Sequence, residues 1–237
     1  MTGSSEIRVF PTAVRAASAA ADLLAELAHE GGHVALAGGS TPAEAYKMAA
    51  RKARDWRDVV LWMGDDRCVP ADHEHSNFAM VRRTLLETLP ADGRPEVHPI
   101  KGDLGPDAAA DDYENLLREH LGDRPELDLI LLGLGPDAHT ASLFPGKPAV
   151  QEDVRLAVPV PEPGLPPHVP RVSLTFPVIN AAAHVVFLVA GGDKAEAMVR
   201  AFGTPRDPAA PAAHVRPARL TVLCDEAAAT KLGQVRA

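Results

Sequence analysis

A histidine and an aspartate stand two residues apart in the stretch GLGPDAHTASLFPG, which runs from Gly133 to Gly146. An apolar run, LDLILL, precedes this stretch, so Asp137 and His139 fall where a buried strand ends and the backbone turns. Imidazole titrates near neutral pH and can take a proton from water, and a carboxylate can fix its tautomer. The pair is therefore a candidate general base with its orienting acid, although a lone histidine is more often structural.

Ser142 follows in the same stretch and offers a hydroxyl as an alternative nucleophile. A serine nucleophile on a strand-to-helix turn usually lies in a G-x-S-x-G sequence, which this chain lacks. We therefore favour water, activated by His139, as the attacking group.

A second segment, LAGGSTPAE, has the composition of an anion site at the start of a helix. We expect Thr41 to cap this helix, with Pro42 at its first position and Glu44 completing a capping box. Free amides at a helix N-terminus bind anions, so we interpret the segment as a phosphate site, with simple capping as the alternative. The candidate phosphate ligands here are Gly38, Gly39, Ser40 and Thr41.

Three cations fall at similar places in the chain. Arg67 closes the segment GDDR after an apolar run, beside Asp65 and Asp66, and an ion-paired turn would explain it equally well. Arg171 begins the strand-like RVSLTF, and Lys194 stands at a helix start in GGDKAEA. A lysine there opposes the helix dipole by about 0.3–1 kcal/mol, which a bound anion would offset. An exposed lysine is the alternative.

The elements that must position these residues alternate between apolar runs and amphipathic helical patterns. Because the runs are apolar throughout, they predict a mostly parallel, doubly wound α/β sheet with helices on both faces, in a single domain over residues 1–237. Expected strands cover 6–10, 33–37, 58–63, 96–100, 127–135, 155–160, 171–176, 184–192 and 220–225, and expected helices cover 14–28, 42–52, 76–87, 107–121, 177–183 and 193–202. A Pro-rich loop is expected over 159–170. Ligands of such sheets bind at the carboxyl ends of strands, where GGSTP, GDDR, GLGPDAH and AGGDK all fall.

Composition disfavours several classes of function. The formal net charge is −8 and no basic stripe is present, which disfavours a nucleic-acid partner. Two distant cysteines, Cys68 and Cys224, make neither a disulfide framework nor a metal cluster. The N-terminus does not look like a signal peptide and no apolar run reaches membrane-span length, so we expect a cytoplasmic protein without a membrane partner. The oligomeric state is left open, with a monomer as one option.

Five motifs, in order, resemble those of the 6-phosphogluconolactonase family: LAGGSTP, WMGDDRCVP with SNFAM, LDLILLGLGPDAHTASLFPG, RVSLTFPVINAA and VAGGDKAEA. The resemblance covers nearly the whole chain. It implies a Rossmann-like fold shared with glucosamine-6-phosphate deaminase. It also implies hydrolysis of 6-phospho-D-glucono-1,5-lactone, a phosphosugar lactone, with no metal and no cofactor.

Carried over by motif, the resemblance gives each candidate residue a role. His139 would be the general base and Asp137 its orienting group, Asp65 would lie near sugar hydroxyls, and Arg67 would lie near the ring or the phosphate. The phosphate would be held by Gly38, Gly39, Ser40, Thr41, Arg171 and Lys194.

Two departures from the family pattern affect the site. Asp66 stands where the family usually has glutamate, which weakens any contact of this side chain with substrate. Ala138 stands where the family usually has glycine, and we expect the loop to avoid a positive φ there because alanine would be strained by about 1 kcal/mol or more.

Two other functions fit a chain of this kind. Aminosugar-phosphate deaminases follow their histidine with a segment that contains a glutamate and have a tyrosine in place of Arg67, whereas this chain continues TASLFP without an acid. A sugar-phosphate-sensing regulator would need a DNA-reading module, and no helix-turn-helix fits before Phe10. The missing glutamate and the presence of Arg67 favour the lactonase over the deaminase, and the missing helix-turn-helix favours it over the regulator.

Overall fold

A computed structural model describes residues 4–233 as ten strands and seven α-helices. Seven strands form one parallel sheet: β1 Ser4–Phe10, β2 Gly32–Leu36, β3 Val59–Met63, β5 Glu96–His98, β6 Leu129–Leu132, β9 His184–Val189 and β10 Arg219–Asp225. Their spatial order is β1-β10-β9-β6-β2-β3-β5. The predicted parallel α/β sheet is confirmed.

Helices surround this sheet: α1 Ala13–Glu30, α2 Ser40–Lys52, α3 Asn77–Thr84, α4 Pro106–Leu121, α5 Phe176–Ala181, α6 Ala195–Phe202 and α7 Glu226–Ala229. The first helix packs against α2, β9 and β10, and α7 lies against β1 and β10. The buried face of α1 is largely alanine, which lets the helix approach the strands closely. Thr12 caps its start by accepting the N–H of Arg15, and Gly31 ends it.

A second, smaller sheet was not expected from the sequence. It consists of β4 Asp65–Arg67, β8 Arg171–Leu174 and β7 Ala157–Val160, which pair antiparallel in the order β4-β8-β7. Helix α4 packs on β7 and β8. The segment GDDR is thus itself a strand, and the predicted Pro-rich loop starts later than expected because β7 includes Pro159 at the sheet edge, where a missing N–H is tolerated.

One cluster of buried apolar residues extends from Ala16 to Ala228 and includes side chains of both sheets. This shared core supports the single-domain organisation, which stays a prediction for residues 1–237. No helix within residues 4–233 combines the length and apolar character that crossing a bilayer requires.

The strand order reverses direction between two neighbouring strands, β2 and β6, which pair through Val34–Leu129 and Ala35–Ile130. From β2 the chain continues outward to β3 and β5, and from β6 it continues in the other direction to β9 and β10. A crevice forms at such a switch point, outside the carboxyl ends of the two strands. The glycine segment from Gly38 to Thr41 follows β2, and Asp137 and His139 follow β6.

Candidate active site

A polar cleft of about 300 Å³ opens at this switch point. Its walls come from the ends of β2 and β6, from the small antiparallel sheet and from the Pro-rich loop. The lining residues are Ala37, Gly38, Gly39, Asp65, Arg67, Asn77, Gly133, Leu134, Gly135, Pro136, His139, Ala141, Leu165, Pro166, Arg171 and Lys194.

The imidazole of His139 lies in this cleft with one nitrogen held by Asp137. Nδ1 of His139 is 2.5 Å from Oδ1 of Asp137, and the same oxygen accepts the backbone N–H of His139 at 3.1 Å. Burial alone would raise the pKa of Asp137, but the hydrogen bond and charge of His139 outweigh burial and lower the pKa. An ionised carboxylate on Nδ1 leaves Nε2 for a water molecule in the cleft.

The turn that carries this pair is closed by its own backbone. Gly135 N–H donates to the carbonyl of His139 at 2.9 Å, and Ala138 N–H donates to the carbonyl of Gly135 at 3.0 Å. A Cβ on Gly135 would lie 2.0 Å from Nδ1 of His139, so only glycine lets the ring come this close. Arg200 also stabilises the turn, because its Nη1 donates to the carbonyl of Asp137 at 3.0 Å.

Our expectation for Ala138 is wrong, because this residue has φ 66° and lies in the left-handed region. Its side chain is completely buried, and its carbonyl accepts the N–H of Ala212 at 3.0 Å. The turn and the packing around it therefore impose a conformation that alanine alone disfavours. Ala141 is also left-handed, with φ 47°.

The opposite wall of the cleft is basic. Arg67 and Arg171 are paired residues of β4 and β8, and Nε of each is buried without a hydrogen-bond partner within residues 4–233. Burial lowers the pKa of Arg171, and the nearby Asp65 only partly opposes this effect. Two desolvated guanidinium groups with unused donors fit an anionic ligand.

The ring of Phe144 links the two walls. Its centroid lies 4.4 Å from that of His139, and Cζ of Arg171 lies 5.1 Å from it. A cation over an aromatic face is favourable, and the ring also fixes the plane of the imidazole. Phe144 is not among the residues predicted from the sequence, because the apolar LFP pattern is equally typical of a core segment.

Asp65 is anchored within the cleft by neighbouring side chains. Ser142 donates its hydroxyl to Oδ2 of Asp65 at 2.6 Å, so this serine supports the site rather than attacking substrate. Asn77 donates to Oδ1 of Asp65 at 3.2 Å and accepts from Nη1 of Arg67 at 2.9 Å. Asn77 was missed as a single residue, although the motif SNFAM contains it.

The neighbouring Asp66 faces the other side of β4, because successive strand residues alternate. Its carboxylate accepts from the backbone N–H groups of Asn77 and Phe78, at 2.6 and 3.0 Å, and from the hydroxyl of Ser76. Burial raises its pKa to about 6, against the effect of these backbone hydrogen bonds. Asp66 therefore positions the start of α3 and does not line the cleft.

The predicted capping box at α2 is wrong. The helix begins at Ser40 with Gly39 as its N-cap, and no side chain caps it. Gly38 and Gly39 line the cleft, whereas Ser40 and Thr41 are the first helical residues beside it and are not among the lining residues. The uncapped N-terminus faces the cleft region, which keeps the segment suitable for an anion.

Lys194 also lines the cleft, from the turn that follows β9. It ends a 3-10 turn, Gly192–Lys194, that precedes α6, and its Nζ lies 3.1 Å from Oδ2 of Asp193. The predicted helix over 193–202 is therefore one turn of 3-10 helix followed by α6.

Comparison with known proteins assigns the chain to a family. Residues 11–224 match the family described as glucosamine-6-phosphate isomerases/6-phosphogluconolactonase. The chain belongs to this family. A Synechocystis 6-phosphogluconolactonase is 40% identical over 210 residues, which make up 85% of each chain.

Two further relatives agree within the glucosamine-6-phosphate isomerase/6-phosphogluconolactonase family. A 6-phosphogluconolactonase from Rattus norvegicus is 42% identical over 178 residues, 73% of this chain and 68% of the relative. The solved structure of 6-phosphogluconolactonase from Trypanosoma brucei has a TM-score of 0.83 and 28% identity, covering 97% of this chain and 99% of that chain. The similarity named in these comparisons is to the lactonase members of the family.

Proposed function

We propose that the protein hydrolyses 6-phospho-D-glucono-1,5-lactone to 6-phospho-D-gluconate in the oxidative pentose phosphate pathway. The relatives at about 40% identity over most of the chain support this activity. The observation that carries the proposal is the position of His139, whose Nδ1 is held by Asp137 at 2.5 Å. It lies in a cleft with two arginines whose Nε atoms have no hydrogen-bond partner within residues 4–233. We also propose that the protein acts in the cytoplasm on this free small molecule.

The chemical step begins with a water molecule beside Nε2 of His139. The imidazole accepts a proton as the water oxygen forms a bond to the lactone carbonyl carbon. The tetrahedral intermediate then collapses, the bond from this carbon to the ring oxygen breaks, and the proton passes from the imidazolium to that oxygen. Asp137 stays ionised and stabilises the imidazolium between the two proton transfers.

The anionic end of the substrate lies against the basic wall. Arg171 and Lys194 line the cleft, and we assign them to the phosphate together with the glycine turn at Gly38 and Gly39. Ser40 and Thr41 contribute through their position at the start of α2. Fixing the phosphate places the lactone ring against the imidazole, which supplies the advantage of an intramolecular reaction.

Stabilising the oxyanion of the intermediate requires an N–H donor that is not already hydrogen-bonded within the protein. Three amides of the histidine turn, those of Gly135, Ala138 and His139, are engaged within the turn. Arg67 keeps an unpartnered Nε on the opposite wall, while its Nη1 is held by Asn77 and the carbonyl of His75. We therefore assign oxyanion stabilisation to Arg67 and contacts with the sugar hydroxyls to Asp65.

The deciding experiment is an assay of the purified protein on freshly generated 6-phosphogluconolactone, with spontaneous opening subtracted. A parallel assay with glucosamine 6-phosphate tests the deaminase alternative. We expect lactone hydrolysis and no ammonia release. Ammonia release without enhanced lactone opening would overturn the proposal and favour the deaminase branch of the family.

A further inference from the structure

Two histidines and a glutamate converge at the edge of the parallel sheet, away from the cleft. Glu96 and His98 are alternate residues of β5, so they share one side of this edge strand, and His120 lies in the last turn of α4. We propose that these three residues form a binding site for a divalent transition metal, with Zn²⁺ as the best fit. None of them lines the catalytic cleft.

The distances between the three side chains suit a shared ion. One ligand atom from each residue lies within 4.8 Å of the others. Zinc bonds of about 2.0–2.1 Å in a tetrahedral site require ligand atoms roughly 3.3 Å apart. Glu96 and His120 are exposed, so small rotations of their side chains bring their ligand atoms to this spacing.

His98 supplies the observation that points to a ligand rather than to a chance cluster. It is only 9% exposed, and its Nε2 is buried without a hydrogen-bond partner in the described part of the chain. The polar atom that faces this nitrogen is Oε1 of Glu96, at 2.9 Å. A buried imidazole nitrogen facing a carboxylate in this way is suited to coordinating a cation between them.

The electrostatic setting also favours a cation. Glu96 adds a negative charge, and the carbonyl end of α4 adds a negative dipole beside His120. The ring of Trp62 packs 4.4 Å from His98 and 5.7 Å from His120, which holds both imidazoles in place.

The ligand set selects the metal class. Two imidazoles and one carboxylate suit zinc and its neighbours, whereas calcium and magnesium prefer oxygen ligands alone. Three protein ligands leave one tetrahedral position for water. The bound ion would join the edge strand β5 to the end of α4.

Isothermal titration with Zn²⁺ of the tag-free, chelator-treated full chain tests the site. We expect one ion per chain, and at least about tenfold weaker binding for His120→Ala, which removes an exposed ligand and leaves the fold intact. Ni²⁺ should quench tryptophan fluorescence saturably in the wild type and not in His120→Ala, because Trp62 lies against the site. The double variant Glu96→Gln/His120→Ala should not bind.

A matched control is available in the pair His73 and His75, whose rings lie 5.1 Å apart and which have no third ligand among residues 4–233. His73→Ala should bind Zn²⁺ as the wild type does. The proposal is wrong if His73→Ala abolishes binding, if the double variant binds normally, or if the wild type shows no binding up to about millimolar Zn²⁺.

Discussion

Arg67 and Arg171 face each other across the antiparallel pair β4 and β8, and the Nε atom of each is buried without a partner in residues 4–233. Nη2 of Arg171 donates to the carbonyls of Leu165 and Pro167, and its guanidinium lies over Phe144. Two like charges held side by side with unused donors favour the binding of an anion between them.

Replacing Arg171 by alanine is expected to weaken substrate binding more than turnover. Hydrogen bonds to charged groups contribute about 1.5–3 kcal/mol, so KM should rise by about 10- to 150-fold with little change in kcat. Steady-state kinetics on the lactone checks this prediction. Arg82→Ala is the control, since Arg82 lies on α3 outside the cleft, where its Nε is 3.4 Å from Oε1 of Glu87. An unchanged KM for Arg171→Ala would remove it from the phosphate site.

Replacing His139 by alanine is expected to lower kcat by about 10²- to 10⁴-fold, because the general base is lost. Binding of 6-phosphogluconate should change little, since the basic wall is intact. The measurement compares kcat with product affinity for His139→Ala and for the exposed His29→Ala as control. Near-normal hydrolysis by His139→Ala would exclude this residue as the base.

Two glycines of the same turn provide a paired steric test. A Cβ on Gly135 would meet Nδ1 of His139 at 2.0 Å, whereas a Cβ on Gly133 meets nothing within 4 Å. Gly135→Ala should therefore displace the imidazole and reduce kcat nearly as much as His139→Ala, at a stability cost of about 1–3 kcal/mol. Gly133→Ala should retain activity. Equal activity of the two variants would show that the position of the ring is not critical.

Glu114 on α4 is expected to make stability depend on acid pH. Burial alone would raise its pKa, but hydrogen bonds from Arg155 and Arg118 outweigh burial and lower it. Because the folded pKa lies below the unfolded value, the stabilisation is present above about pH 4.5 and is lost as pH falls through the folded pKa. Glu114→Gln should reduce the free energy of unfolding by roughly 1 kcal/mol at pH 7, and less at pH 3.5.

Urea unfolding of wild type and Glu114→Gln at the two pH values measures this difference. Glu152→Gln is a useful comparison. Within residues 4–233, the carboxylate of Glu152 accepts hydrogen bonds from backbone amides, those of Val154 and Arg155, rather than from guanidinium groups. A difference between wild type and Glu114→Gln that grows on acidification would contradict the assignment.

Most strands of the main sheet could be predicted because they are apolar runs that alternate with helical patterns. The small sheet could not, since Asp65–Arg67 contains no apolar residue and pairs only through contacts with β8. Asn77 was missed because its role depends on contacts with Asp65 and Arg67, and Phe144 was missed because its apolar LFP pattern is equally typical of a core segment. His139 and Asp137 were found because the pair lies within one short turn.

The two local errors have different physical causes. A capping pattern at Thr41 and Glu44 predicted the start of α2 two residues too late, because a helix can begin at Ser40 with its first N–H groups unsatisfied. Ala138 adopts φ 66° because hydrogen bonds on either side of it and complete burial outweigh its own preference. Intrinsic propensity thus lost to tertiary contacts at Ala138, whereas at α2 the capping pattern was simply not used.

Because side chains alternate between the two faces of β4, the length of this segment cannot change without exchanging those faces. Asp65 and Arg67 belong to the cleft, and Asp66 between them belongs to α3. One inserted residue after Gly64 would exchange the two faces, burying a guanidinium against the helix and turning the carboxylate that anchors α3 toward the lactone. The length of this segment is therefore fixed by two sets of contacts at once, those of Asp65 and Arg67 on one face and those of Asp66 on the other.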